Sequence, residues 1–506
     1  MFLGLDLGTS GVKALALDSS GEMVASASES YELYHPHPGW SEQHPSDWWE
    51  AVQAVLSKLL SDLQDPDAVR SLALSGQMHG AVLLDEEGEV LCPAILWNDT
   101  RTDQECRDMT EAIGERRLIE LSGNPALEGF TAPKLLWIKK NEPEIYEQID
   151  TLLLPKDYIV YRLTGRRVTE RSDAAGTNLL DVDDGTWSDT VLDELGLSGD
   201  VLPDVLASTD VVGTVLDGVA EDVGCSPDTK VVAGGADNAC SAVGNGIVRD
   251  GSALVSVGTS GVVLGYSDEA RRDFEGGLHC FNHAQSNAWY LMGVMLSATG
   301  SINWFTEQFA GEERRLAEQQ GTDVFELLER EANDVEAGSD GLFFLPYLTG
   351  ERTPHQDADA RGVFFGIHPQ HTKYHFYRAV IEGVAFGLRD SFELLQNADV
   401  PIDHVRITGG GSSSELWCRI IASVLDQPIT RMKIQEGPAF GAAMIAGVGE
   451  GSLSSLVDAA DQFVETSDTL EPDDRWVEAY REAYPLFGDL YQSLESDYKQ
   501  LSKLQG

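Results

Sequence analysis

The string Gly-Thr-Ser-Gly-Val occurs twice in this chain, at Gly8–Val12 and at Gly258–Val262. Each copy follows a short apolar run, Phe2–Leu5 and Ala253–Val257, and leads into further apolar positions. That pattern reads as strand, tight glycine turn, strand. Glycines flanking hydroxyl residues let the backbone turn sharply and aim N–H groups into one concavity, which suits phosphate oxygens. One such hairpin is commonly structural. Two near-identical ones, each near the start of a half, predict a duplicated domain that grips a polyphosphate from both sides, with a nucleotide in a cleft between related lobes.

Neither loop has the Gly-x-x-x-x-Gly-Lys-Ser/Thr or the Gly-x-Gly-x-x-Gly pattern. The first is preceded by an acid, Asp6. A carboxylate beside bound phosphate is repulsive unless a divalent cation lies between them, so Asp6 points to magnesium. The competing role for Asp6 is a turn cap.

The chain is long enough, at 506 residues, for two or more domains with full cores. Its charge is unusual: 84 acids against 35 bases give −49, spread along the whole length. Such a surface repels nucleic acid and anionic membranes, and at low salt it repels itself. Molar salt shrinks the Debye length to ~3 Å and removes most of that repulsion, so a salt-adapted cytoplasm is the expected setting. The same screening leaves ATP binding to local loop geometry. An acidic disordered chain is excluded, because 10 Trp, 17 Phe and 14 Tyr accompany regular apolar periodicity. Cys92, Cys106, Cys225, Cys240, Cys280 and Cys418 are scattered, with no Cys-x-x-Cys pair and no metal-ligand spacing, which predicts free thiols. The opening residues lack a basic region and a cleavage pattern, and no apolar stretch nears the ~18–20 residues of a bilayer span. A soluble, intracellular protein is expected.

In the first half, strand-like and helix-like segments alternate. Phe2–Leu7 and Val12–Asp18 read as a hairpin, and Trp48, Val52, Val55, Leu56 and Leu59 have helical spacing. Thr131–Asn141 and Pro155–Leu163 look helical. The strands Val69–Ser75 and Lys230–Ala233 run into Gly76-Gln77-Met78-His79-Gly80 and Gly234-Gly235-Ala236-Asp237-Asn238. In the second half, Tyr374–Gln396 is a strong helix. Gly383 and Gly387 inside it each cost up to ~1 kcal/mol relative to Ala, which close approach of another backbone or a ligand would explain. Val405–Thr408 reads as a strand entering Gly409–Ser414, where the helix Glu415–Leu425 begins, a natural site for nucleotide groups. The tail beyond Gly451 is acidic and reads as mainly helical.

These segments carry a resemblance. Asp6–Lys13, Ser75–Gly80, Pro93–Arg101, Gly129–Trp137, Leu154–Tyr158, Ser172–Thr177, Gly234–Asn238, Ser256–Gly261, Phe344–Pro354, Gly362–Gly366, Gly409–Ser414 and Gly437–Ala443 resemble, in order, the FGGY carbohydrate kinases, and within them the xylulokinase pattern. The resemblance implies an α/β fold of two ribonuclease-H-like domains, as in the actin/Hsp70/hexokinase-like ATPases, with the active site in the cleft between them. The domains expected are 1–244, for sugar, first phosphate loop and base, and 245–506, for the second phosphate loop and adenosine.

The activity implied is phosphorylation of D-xylulose by ATP and magnesium to D-xylulose 5-phosphate, within xylose-type pentose catabolism. Phosphoryl transfer needs a base for the acceptor hydroxyl, and Asp237, just after a strand and among small residues, suits that role. By residue type alone a helix N-cap serves equally well there; the resemblance assigns the base. It also places Met78 and His79 on the sugar, with Asn238 beside the base. Glycerol kinases resemble Gln-Arg-Glu-Thr where this chain has Gln77-Met78-His79-Gly80. Thr9 and Ser10, with Gly258, Thr259 and Ser260, would face phosphates; Gly410, Gly411 and Ser414 resemble the adenosine turn; Asp6 and Asp237 point at magnesium. Lys13 is left open between a phosphate partner and a solvated strand residue, and Trp97, Asn98, Asp99 and Arg101 between the sugar pocket and lobe packing. Other readings are a kinase for ribulose, a deoxy-pentulose or another polyol, a chaperone or filament ATPase, and a catalytically dead sugar sensor. The expected partners are a small sugar, no nucleic acid and no membrane, and the family pattern is compatible with a homodimer.

Overall fold

Residues 1–434 and 436–505 are described by the computed structural model and divide into two bodies. The first takes Met1–Asp250, Tyr266–Tyr290 and Glu436–Val464, and the second takes the rest of the described chain. The chain thus leaves the first body near the expected boundary at 244/245 and returns to it twice.

The first body is built on Phe2–Leu7 (β1), Gly11–Leu17 (β2), Met23–Ser30 (β3), Ser71–Gly76 (β4), Val211–Thr214 (β5) and Lys230–Ala236 (β6), in the order β5-β6-β4-β1-β2-β3. β1, β4 and β6 are parallel; β2, β3 and β5 pair antiparallel with their neighbours. The parallel register sets Asp6 opposite Ser75, and Ser75 opposite Gly235. These strands are apolar on both faces because helices cover both. The helix Pro45–Asp62 buries Trp48, Val52, Val55, Leu56 and Leu59, the spacing read from the sequence.

The second body repeats the plan. Gly251–Val257 (β7), Gly261–Ser267 (β8), Trp289–Met295 (β9), Ile402–Thr408 (β10), Ile429–Met432 (β11) and Thr466–Leu470 (β12) run in the order β9-β8-β7-β10-β11-β12. β7 pairs antiparallel with β8 and parallel with β10, as β1 does with β2 and β4. The duplication inferred from two short loops therefore extends to whole sheets, and the ribonuclease-H-like order appears twice. β12 differs from the helical tail expected beyond Gly451. Its sequence, Thr-Ser-Asp-Thr-Leu, buries only Leu470, so no apolar alternation marks it, and antiparallel pairing with β11 makes the strand. Leu456–Phe463 and Asp474–Gln505 are helical as read.

Glycine in the Lys373–Asn397 helix has the predicted cause at Gly383, where an added Cβ would lie 2.2 Å from the Phe344 carbonyl oxygen. A tighter case holds the first body together. The helix Gly437–Glu450 lies on the helix Asp237–Gly244, and a Cβ on Gly441 would sit 1.9 Å from the Cys240 carbonyl oxygen. Backbone cannot yield as a flexible side chain can. Gly441→Ala is expected to lower stability by at least about 3 kcal/mol, read as a fall in Tm and in soluble yield. An unchanged Tm would show that the two helices can separate freely.

All six cysteines are free thiols, and among the described residues no helix is long and apolar enough to cross a membrane.

Candidate active site

The C-terminal ends of β1, β4 and β6 open on one edge of the sheet, where parallel α/β sheets place their ligands. From these ends emerge Asp6 with the first glycine loop, the Gln77–Gly80 segment, and Asp237. Asp237 is the first residue of the Asp237–Gly244 helix; Ala236 occupies the N-cap position and no side chain caps it. The cap reading of Asp237 is therefore not realised. Its Oδ1 accepts from the backbone N–H of Asn238 at 2.7 Å and from Asn238 Nδ2 at 2.9 Å. Burial, then the charge of Asp6, pushes the Asp237 carboxyl up to about 7. Burial also raises Asp6, against the hydrogen bond from Ser75 Oγ at 2.8 Å.

Two desolvated carboxyls side by side are a poor arrangement for a merely structural turn. Among the described residues no three His, Cys, Asp or Glu side chains gather into a metal cage. The Asp6–Asp237 pair still fits magnesium, which takes one or two protein carboxylates and completes its shell with water and substrate phosphates. Lys13, left open by the sequence, forms an ion pair with Glu436 at 2.5 Å.

Met78 is buried, and its sulfur lies 3.9 Å from both Asn238 Nδ2 and Tyr290 Oη. His79 has φ 69°, a left-handed conformation uncommon outside glycine. Its Nδ1 donates to the Gly176 carbonyl at 2.5 Å, and its ring lies 4.3 Å from that of Phe130. Asp237, Asn238, Met78 and His79 thus come together as the sequence suggests.

Behind them is a group the sequence reading missed. Ser172 Oγ accepts from the Ala236 N–H at 3.0 Å and donates to Glu170 at 2.8 Å, so Glu170 anchors the turn that delivers Asp237. Glu170 also accepts from the Asp173 N–H and Ser208 Oγ. Lys156 sits 2.5 Å from Asp157, 3.5 Å from Asp173 and 3.6 Å from Glu170, all fully buried. Burial opposes the Lys156 charge, but the three carboxyls outweigh it and hold the ammonium. One ammonium does not balance three buried carboxylates, and burial drives the Asp173 carboxyl well above the usual range. The signal available was the pair of segments Leu154–Tyr158 and Ser172–Thr177, which carry Lys156, Asp157 and Asp173, although Glu170 lies outside both.

Both glycine loops present the same pattern. In the first, the Thr9 carbonyl accepts from Gln43 Nε2 at 2.7 Å, and the Gly8 and Ser10 carbonyls accept from the Tyr31 hydroxyl and N–H. In the second, the Gly258 carbonyl accepts from Thr299, and the Thr259 carbonyl from Ala298 and Gly300. The carbonyls are occupied, while the N–H groups of Thr9, Ser10, Thr259 and Ser260 find no protein acceptor among the described residues. A loop with tied carbonyls and open N–H groups is built for an anion. The Thr9 hydroxyl is already engaged, accepting from Trp97 Nε1 at 2.9 Å and donating to Gln77 at 3.1 Å, so Thr9 offers its backbone.

Arg101 resolves the Trp97–Arg101 segment in part: its guanidinium pairs with Asp99 and Glu42 and lies 3.5 Å over the Trp40 ring, as packing. In the second body a cavity of about 480 Å³ is lined by Gly410, Gly411, Ser414, Trp417 and Asn303 among others. That volume suits a nucleoside. An added Cβ on Gly410 would meet nothing within 4 Å, so the backbone there lies open, whereas Gly411 packs on Val257 and Trp417. Ser414 Oγ caps the Glu415–Leu425 helix by accepting from the Trp417 N–H at 3.0 Å.

Residues 1–244 match the N-terminal domain, and residues 253–450 the C-terminal domain, of the FGGY family of carbohydrate kinases. The chain belongs to that family. It is 41% identical over 491 residues to a xylulose kinase of Bacillus subtilis, covering 97% of this chain and 96% of that protein. It is 41% identical over 495 residues to a xylulose kinase of Escherichia coli, covering 98% and 99%. Among solved structures, a "xyloylose kinase" from Brucella ovis matches with a TM-score of 0.90 and 37% identity over 98% of this chain and 99% of that one. Family membership fixes the class of enzyme, a carbohydrate kinase.

Proposed function

We propose that this kinase transfers the γ-phosphoryl group of ATP to the terminal 5-hydroxyl of D-xylulose, giving D-xylulose 5-phosphate and ADP. The observation that carries this reading is the Asp237 carboxyl, oriented by Asn238, whose side-chain nitrogen lies 3.9 Å from the Met78 sulfur. In the step, the sugar 5-oxygen forms a bond to the γ-phosphorus while the bond from that phosphorus to the β–γ bridging oxygen breaks. The hydroxyl proton passes to Asp237, and ADP leaves with the bridging oxygen. Asp6 and Asp237 would hold magnesium, which would supply charge neutralisation at the phosphates. Met78 packs on the sugar skeleton, and His79 and Asn238 hydrogen-bond its hydroxyls. Thr9 and Ser10 in the first body, and Gly258, Thr259 and Ser260 in the second, hold phosphate oxygens through backbone N–H groups. Gly410, Gly411 and Ser414 line the adenosine cavity.

The named relatives support xylulose as the sugar, and the net charge of −49 supports a salt-rich cytoplasm as the setting. A homodimer, as the family pattern allows, completes the reading and is measured by sedimentation. The deciding experiment is ADP release with ATP, magnesium and a panel of D-xylulose, D- and L-ribulose, L-xylulose and glycerol, in molar KCl. D-Xylulose is expected to give the highest kcat/KM by at least about tenfold. A higher value for another polyol would overturn the substrate and keep the mechanism. No sugar-stimulated turnover by folded protein would sink the kinase reading.

A further inference from the structure

Lys134 lies in the helix Thr131–Asn141, is 0% exposed and faces no carboxylate within ion-pair distance among the described residues. Its ammonium nitrogen donates to two backbone carbonyls, Gly129 at 2.7 Å and His79 at 2.8 Å. The His79 carbonyl also accepts from Thr131 Oγ1 at 3.0 Å. One helix start therefore aims two side-chain donors at a single carbonyl, that of the residue held at φ 69°. A non-glycine residue in that region persists only where its surroundings over-determine it. A backbone bond from the Gly80 N–H to the Met78 carbonyl at 2.9 Å spans His79 as well, and its ring is held by the Gly176 carbonyl and Phe130. Gly176 itself must lack a side chain, since a Cβ there would lie 2.7 Å from His79 Nδ1 and 2.9 Å from Met78 Cε.

Packing does not explain an amine at position 134. Methionine would fill a similar volume without burying a polar head, and an unpaired buried ammonium is strongly penalised. Burial drives the Lys134 pKa well below the ordinary lysine range, against the pull of Asp99. What lysine supplies and methionine lacks is donors at the end of a long stem. We infer that Lys134 is a positioning residue that, with Thr131, locks the His79 backbone in its left-handed conformation and so presents the Met78–His79 pair to the sugar.

This inference rests on the proposed contact of His79 with the sugar, and the test separates the two. KM for D-xylulose and for ATP is measured with magnesium in molar KCl for Lys134→Met, His79→Ala and the double variant. If Lys134 acts through His79, Lys134→Met raises the sugar KM by about tenfold or more and leaves the ATP KM within about twofold. In the His79→Ala background the same change then adds less than about twofold. A folded Lys134→Met protein with an unchanged sugar KM, or with both KM values raised alike, overturns the inference. A raised sugar KM in His79→Ala beside a normal one in Lys134→Met overturns the inference alone. An unchanged sugar KM in His79→Ala overturns the underlying contact and the inference with it. Should Lys134→Met not fold, Thr131→Val removes one donor to the same carbonyl. It is then expected to raise the sugar KM about threefold, again non-additively with His79→Ala, and no change overturns the inference.

Discussion

Asp237→Asn is expected to lower kcat by about 10²–10⁴-fold and, at the same time, to make the protein more resistant to heat. The first effect follows from removing the proton acceptor while keeping the shape and the bonds from Asn238. The second follows from what holds the acid. Burial, then the charge of Asp6, raises the carboxyl to about 7 in the folded chain, above its ordinary value of 3.8. A carboxyl whose pKa is raised on folding favours the folded state in its protonated form. That contribution is complete below about pH 4 and is lost as pH rises through about 7. At pH 8 the wild-type protein therefore carries a destabilising charge that the amide lacks. Allowing for partial solvent contact, the gain is about 1–2 kcal/mol, a rise in Tm of a few degrees. It should shrink when the comparison moves from pH 8 to pH 6, with EDTA present in both. The same titration shapes catalysis. Asp237 can accept a proton only when ionised, so wild-type kcat/KM should rise with pH and level off above about 7, and the residual rate of the variant should lack that limb. A variant with near wild-type kcat would remove Asp237 from the role of base, whatever its Tm.

Much of this arrangement was legible in the sequence because the chain repeats itself. Two copies of Gly-Thr-Ser-Gly-Val foretold two sheets of the same order, and the apolar runs before Gln77 and Asp237 foretold strands ending at the site. The helices Thr131–Asn141 and Glu415–Leu425 have the bounds that the sequence suggests. What escaped was whatever depends on distant partners. β12 has no apolar alternation and exists through pairing with β11. The Glu170–Ser172–Ala236 chain joins residues about 65 positions apart, and Glu170, between Thr169 and Arg171, shows nothing in its local sequence of what it anchors. Lys134 and Arg101 show the same limit in opposite directions. Both lie in family segments rich in polar and aromatic residues, yet one is a buried donor to the His79 carbonyl and the other a packed ion pair. Ser414, a nucleotide contact by its position after the glycines, lines the cavity while its hydroxyl oxygen also caps a helix, a second task that its position alone does not disclose.

Asp6→Asn tests the metal half of the site. Its rate at saturating sugar and ATP is expected to fall by about 10²-fold or more, and the magnesium concentration for half-maximal rate to rise by about tenfold. The amide keeps an oxygen for Ser75 Oγ, which bonds Asp6 at 2.8 Å, so β1 and β4 stay registered and a change in Tm is not the cause. Removing this charge acts on Asp237 as well. Asp6 contributes to the raised Asp237 pKa, second to burial, so the acid limb of kcat/KM should move below about 7 without reaching the ordinary carboxylate value. The two readouts move in opposite senses: the base becomes easier to ionise while the enzyme becomes slower. The magnesium readout alone separates the two roles, because neutralising a mere turn cap would move the acid limb through the same loss of charge but leave the magnesium requirement unchanged. If the half-saturating magnesium concentration stays where it is in the wild type, Asp6 is structural, and the charge on the phosphates must be met by Asp237 and the backbone loops alone.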